Sequence, residues 1–168
     1  MTAQIYELKD LRDRQRVFND RRDAGMALAD MLAPEHSEAE GTLVAAIPAG
    51  GVPVAQVIAG RLGVAFDMLL VRKVQIPGNT EAGLGALTFD GDLFLNDILV
   101  KRLGLTPEAI DNQKRRARAA LDHRNEIFRE GRPLAAFTGR TVIVIDDGLA
   151  SGFTMVAAIH MAKKRQAA

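Results

Sequence analysis

Val142-Ile143-Val144-Ile145-Asp146-Asp147-Gly148-Leu149-Ala150-Ser151-Gly152-Phe153-Thr154 runs from an unbroken β-branched stretch straight into two carboxylates and a turn of small residues. A fully apolar run of this length is the pattern of a strand buried on both faces, as in a parallel sheet covered by helices. Thr141 to Ile145 therefore reads as a strand and Thr154 to about Lys164 as the helix after it. Open α/β sheets bind ligands at the carboxyl ends of such strands, which is where Asp146 and Asp147 fall. The small residues Ala150, Ser151 and Gly152 allow backbone N–H groups to approach a ligand closely. The helix start adds its partial positive charge, and the hydroxyls of Ser151 and Thr154 add donors.

Two adjacent carboxylates repel a phosphate, so a ligand that satisfies the whole segment sets an anionic group at the turn and hydroxyls or a cation beside the aspartates. A ribose 5-phosphate has that shape. A plain strand-end turn with a capped helix explains one Asp and Thr154, but not the full run.

Working outward, the same alternation recurs. Leu43 to Ile47 is a short apolar run that breaks at Pro48-Ala49-Gly50-Gly51 and leads into a helical segment from Pro53 to Leu62, a strand, Gly-rich turn and helix. Upstream, Val17, Ala24, Leu28, Met31 and Leu32 have helical spacing, predicting an amphipathic helix over 12–32 that Pro34 stops. Downstream, Phe66 to Val71 predicts a second buried strand ending in Arg72-Lys73, followed by a mobile loop over 75–85. Ala86 to Phe89 and Leu93 to Leu95 flank Asp90-Gly91-Asp92 as a hairpin. Thr106 and Pro107 open a long helix to about Glu130, with Thr106 as N-cap and Pro107 at the first helical position; its Lys114 to Arg118 face reads as solvated. The expected fold is α/β: a mostly parallel, Rossmann-like sheet between helices in one domain over 1–168, with a flexible loop and hairpin lid over 75–95.

Bulk composition narrows the function classes. Lys and Arg total 22 against 21 acidic residues, a net charge of +1, so no whole-protein field favours nucleic acid or an anionic membrane. The absence of cysteine removes disulfides and thiolate metal sites and suits the cytoplasm. The longest apolar runs are far shorter than the roughly 20 residues of a membrane span. His36, His123 and His160 lack metal-ligand spacing, and the Arg-rich run has no interleaved aromatics for nucleic-acid binding.

The Val142 to Thr154 segment resembles the signature by which type I phosphoribosyltransferases bind 5-phosphoribosyl-1-pyrophosphate (PRPP): a hydrophobic strand, two acidic residues, and a small-residue phosphate loop ending in Thr. The resemblance is closest to an uncharacterised branch of that family and extends over nearly the whole chain. Phe18-x-Asp20-Arg21-x-Asp23-Ala24-Gly25 resembles its first helix, Ile47 to Ala55 its pyrophosphate loop, and Val71-Arg72-Lys73 with Pro77-Gly78-Asn79-x-Glu81 the entry to its flexible loop.

By resemblance, Asp146 and Asp147 contact ribose hydroxyls, and Ala150, Ser151, Gly152, Phe153 and Thr154 hold the 5-phosphate, with Gly148 and Leu149 also among the substrate-binding residues. Ala49, Gly50 and Gly51 meet pyrophosphate, with Arg72 or Lys73 neutralising it. Strand alternation sends Arg72 and Lys73 to opposite faces, so one of the two reaches the site. The implied reaction joins PRPP to a nitrogenous base with release of pyrophosphate, aided by Mg²⁺ held mainly by PRPP.

This sequence departs from the family pattern in three places. Gly148 stands where an aliphatic residue is common, Ala49 stands where the branch has Arg, and the chain stops at Ala168, before a further strand. That end implies either a fragment or an edge beside Thr141 to Ile145 covered by a partner, a homodimer being one form. A PRPP- or nucleotide-sensing protein without turnover remains the alternative.

Overall fold

The computed structural model describes residues 5–168, apart from the side chains of residues 80 and 81. Its centre is β1 (Thr42–Ala46), all five residues of which are buried. Pairing is parallel to β2 (Ala65–Met68) on one side and to β6 (Thr141–Ile145) on the other, giving the order β2-β1-β6. The unbroken apolar runs follow from this arrangement. Val44 and Ala46 face α2 (Gly51–Leu62), where Val54, Ala55, Ile58 and Leu62 pack on them. Leu43, Ala45 and Ile47 face α5 (Phe153–Lys164), meeting Ala157, Ala158 and Met161. Successive side chains from Leu43 to Ile47 thus enter two different apolar layers, which leaves no polar position among them. The expected α/β fold with a helix-flanked parallel sheet is the observed one.

Four local readings change. The first helix, α1, spans Arg21–His36, starting at the Asp20 N-cap, whose carboxylate accepts from the backbone N–H groups of Arg22 and Asp23. Residues 12–20 are not helical, because Asp13 and Arg16 hold left-handed φ values of 60° and 56°. Pro34 lies inside the helix instead of ending it; the last turn closes beyond it through Ser37 N–H to Ala33 O.

The single strand expected over 66–71 is two. β2 ends at Met68, and the chain then crosses to a second, antiparallel sheet with order β3-β4-β5, where β3 is Val71–Ile76 and β5 is Leu93–Leu95. An apolar run carries no mark of a change of sheet. Residues 75–85, expected as a loop, belong mostly to a ribbon of β3 with β4 (Asn79–Thr88), which turns at Gly78 with φ 77°. Its small residues permit close packing: a Cβ on Gly85 would run into the Phe94 backbone, and one on Gly83 into the stem of Lys73.

The hairpin expected at Asp90-Gly91-Asp92 is present as β4–β5, and its turn is tied to α5. Lys164 Nζ donates to Asp92, and Arg165 pairs with Asp90. A short helix absent from the sequence reading, α3 (Asp97–Arg102), is capped by Asn96. The long helix α4 (Pro107–Arg129) has the Thr106 cap and initial Pro that the sequence announced, and its Ala117 and Leu121 pack on Leu70, just before β3, and on Val74, Leu84 and Leu87 of the second sheet. Of its basic run, 114–116 are exposed, whereas Arg118 is half-buried over the Phe89 ring. Among the described residues, no helix is long and apolar enough to cross a membrane.

Candidate functional site

β1 and β6 are parallel neighbours with Ala46 opposite Ile145, so the loops that follow them leave the sheet side by side. One loop leads to α2 on one face, and the other to α5 on the opposite face. Strand connections diverge here, and open sheets have a ligand crevice at such a point. The segments 48–51 and 146–154, 95 or more residues apart in sequence, are brought together by this pairing.

Contact between them is close. A Cβ on Gly51 would lie 2.6 Å from the Ile145 carbonyl oxygen, and one on Gly50 would collide with the Asp147 carboxylate. Gly51 is buried, and its amide is committed to Ile47 O at 3.1 Å. Its lack of a side chain therefore serves the approach of the two loops. Ala49 is exposed at the tip.

Asp146 is half-buried and accepts the Asp147 N–H on Oδ1 at 2.9 Å. Burial, reinforced by the Asp147 charge, holds its carboxyl above the ordinary range even though that N–H bond acts the other way. Asp147 is more exposed; its Oδ2 receives Nε of Arg21 at 2.8 Å and Nη2 at 2.7 Å. The Asp20 cap fixes where α1 begins and so sets Arg21 on its first turn, facing the β6 loop.

From Asp147 to Ser151 the loop is exposed. Gly152, with φ 78°, turns it into α5, whose N-terminus has no side-chain cap, leaving first-turn N–H groups open to an anion. Phe153, the first residue of α5, packs against the core, so it can offer a ligand only its backbone, while Leu149 projects into solvent. Both aspartates border a cleft of about 440 Å³ whose other walls include Leu8, Phe18, Leu28 and Val54.

The two basic residues of β3 part as alternation requires. Lys73 lays its stem across Gly83 of β4, and Arg72 lies within Coulombic range of Arg124 on α4. Arg124 in turn donates Nη1 to Pro48 O at 3.2 Å. Sequence reasoning gave Arg21 and Arg124 no role, because a cation on a helix carries no local mark of what it faces. Glu81 has its side chain outside the described residues, and Asn79 accepts from the Ala82 N–H. Among the described residues, no group of three His, Cys, Asp or Glu side chains could hold a metal. Asp146 and Asp147 fit a hard divalent cation only as a minority of its oxygen donors, the remainder coming from ligand and water.

Residues 18–168 match the family model described as the phosphoribosyl transferase domain. The chain belongs to that family. Phosphoribosyl transferase relatives with provisional names to that effect occur in two strains of Mycobacterium tuberculosis; each is 40% identical over 148 residues. The match covers 88% of this chain and 33% of each relative, so the chain spans about a third of their length. A solved structure from Thermus thermophilus superposes with a TM-score of 0.68 at 40% identity, covering 89% of this chain and 70% of that one. The phosphoribosyl transferase fold and the two adjoining loops are thus found in one chain.

Proposed function

We propose that the chain binds PRPP across the two loops and transfers its phosphoribosyl group to a nitrogenous acceptor. The observation that carries this reading is the meeting of the 146–154 loop, with its two carboxylates and uncapped helix start, and the glycine loop 48–51 at the divergence of β1 and β6. Asp146 and Asp147 accept from the ribose hydroxyls, and the backbone from Gly148 to Thr154 holds the 5-phosphate. Ala49 and Gly50 face the pyrophosphate, with Arg72 or Lys73 offsetting its charge.

In the reaction, the acceptor nitrogen attacks the anomeric carbon. The bond from that carbon to the pyrophosphate oxygen breaks, its electron pair leaves with pyrophosphate, and the nitrogen releases its proton to water. Positive charge develops on the sugar beside two carboxylates, and negative charge develops on the leaving group beside cations, the placement that electrostatic catalysis requires. Mg²⁺ held mainly by PRPP would add charge neutralisation on the leaving group. The apolar walls of the cleft, Phe18, Leu28 and Val54, suit a planar acceptor.

One feature favours a second reading, a PRPP- or nucleotide-sensing protein without turnover. Ala49 supplies no cation at the exposed tip of the glycine loop. We assign either activity to the cytoplasm on the cysteine-free composition.

Calorimetric titration of PRPP with Mg²⁺ into the wild-type chain and into the Asp146→Asn/Asp147→Asn variant tests the site. Binding by the wild type alone supports it. A pyrophosphate-release assay with candidate bases then separates transferase from sensor. A cooperatively folded wild type that binds no PRPP overturns both readings.

A further inference from the structure

Arg124 lies on α4, outside every motif of the sequence. Its guanidinium is half-buried and reaches the loop that joins β1 to α2 through the 3.2 Å bond to Pro48 O. Arg72, from the second sheet, comes close enough for the two charges to interact. Burial first, and Arg72 second, hold Arg124 below the ordinary range of an arginine.

Arg116 of α4 is exposed to solvent, and three other arginines of the helix have carboxylate partners. Arg115 pairs with Asp111, Arg118 with Asp122, and Arg129 with Asp67. Among the described residues, neither Arg72 nor Arg124 has a carboxylate partner. Two half-buried cations within reach of each other cost stability unless something anionic joins them. Among the described residues, the polar atom that Arg124 engages is a carbonyl oxygen, which leaves most of its five N–H donors to a ligand.

We propose that Arg124, together with Arg72, anchors the diphosphate group of the ligand against the Pro48–Gly51 loop. Three elements then converge on the leaving group: the loop after β1, the start of β3, and the body of α4. A guanidinium offers two parallel donors to phosphate oxygens, and a second one nearby matches a diphosphate better than a single phosphate. Arg124 would thereby supply a cation that the loop lacks at Ala49. This inference rests on the reading of the site as one for PRPP, and it adds a residue that binds the group that leaves.

The test titrates inorganic pyrophosphate with Mg²⁺, and separately ribose 5-phosphate, into the wild type, Arg124→Gln and Arg124→Lys. Gln keeps a donor for Pro48 and loses the charge. Arg124→Gln is expected to weaken pyrophosphate binding about tenfold or more and to leave ribose 5-phosphate within about twofold, with Arg124→Lys intermediate. Without ligand, the Arg124→Gln melting temperature is expected to stay level or rise.

Unchanged pyrophosphate affinity in Arg124→Gln overturns the assignment, and so does equal weakening of both ligands together with a lower melting temperature, which marks a structural role. If the wild type binds ribose 5-phosphate while pyrophosphate is insensitive to residue 124, the PRPP site stands and only Arg124 is removed from it. If pyrophosphate binds in an Arg124-dependent way but neither ribose 5-phosphate nor PRPP binds, the diphosphate site stands and the phosphoribosyl reading falls. A wild type that binds no pyrophosphate overturns the inference.

Discussion

The α-carbon of Gly51 faces the carbonyl oxygen of Ile145 so closely that a Cβ there would lie 2.6 Å from it. That oxygen already accepts from the Ile47 N–H at 2.8 Å, so it is fixed by the sheet and cannot swing away. Gly51→Ala must therefore push the start of α2 off the end of β6. The expected cost is about 1–3 kcal/mol of stability, read as a lower melting temperature. An unchanged melt would mean that the two loops are not held as described.

Asp146 is the second test. A carboxyl held above its ordinary value in the folded protein favours the protonated form. Its contribution to stability is therefore greatest in acid and is lost as pH rises from the unfolded value near 3.8 through the higher folded value. Asp146→Asn keeps an acceptor for the Asp147 N–H and removes the buried charge. It is expected to melt higher than wild type at neutral pH, by roughly 2 °C or more, while PRPP binding is lost. The stability gap should shrink as pH falls towards the ordinary carboxylate range. A gap that widens in acid would contradict the assigned environment.

Two ion pairs should respond to truncation by very different amounts. Arg129, 8% exposed, bonds Asp67 at 2.9 Å and Met68 O at 2.6 Å, and the other oxygen of Asp67 accepts from the Ala135 N–H. Asp67→Ala strands a buried guanidinium and is expected to cost about 3–5 kcal/mol. Arg21 and Asp147 are exposed, and Arg21→Ala should change stability by about 1 kcal/mol or less. Chemical denaturation of both variants measures the difference, and equal effects would refute the contrast in burial.

At the hairpin turn, Asp92 holds its carboxyl below the ordinary range, chiefly through the hydrogen bond from Lys164. Stabilisation from a depressed carboxyl is present above the ordinary range and is lost as pH falls through the depressed value. Asp92→Asn is expected to speed amide hydrogen exchange in the β4–β5 turn at neutral pH, with little change in β1. Equal protection in wild type and variant would show that the Lys164–Asp92 pair does not secure the turn.

Much of this architecture was legible in the residues. Thr106 and Pro107 announce the start of α4 because a cap and a fixed φ are local chemistry. The stretch from Thr141 to Thr154 announces strand, turn and helix because each depends on neighbours a few positions away. The first part of β4, residues 79–85, was hidden, since Gly83 and Gly85 read as loop formers. They lie in a strand paired with β3 and β5, where Lys73 and the Phe94 backbone come too close for a side chain.

By itself, then, the sequence determined the parallel α/β core, the chain positions of the two loops, and the residue types in them. Only the tertiary structure decided that Arg21 reaches Asp147 across 126 positions, that Arg124 reaches Pro48 across 76, and that Gly51 abuts Ile145. The reason is physical. Backbone preference and hydrophobic period act over a few residues, whereas which charge meets which loop depends on the path of the whole chain through two sheets and on the packing of α1 and α4 against them.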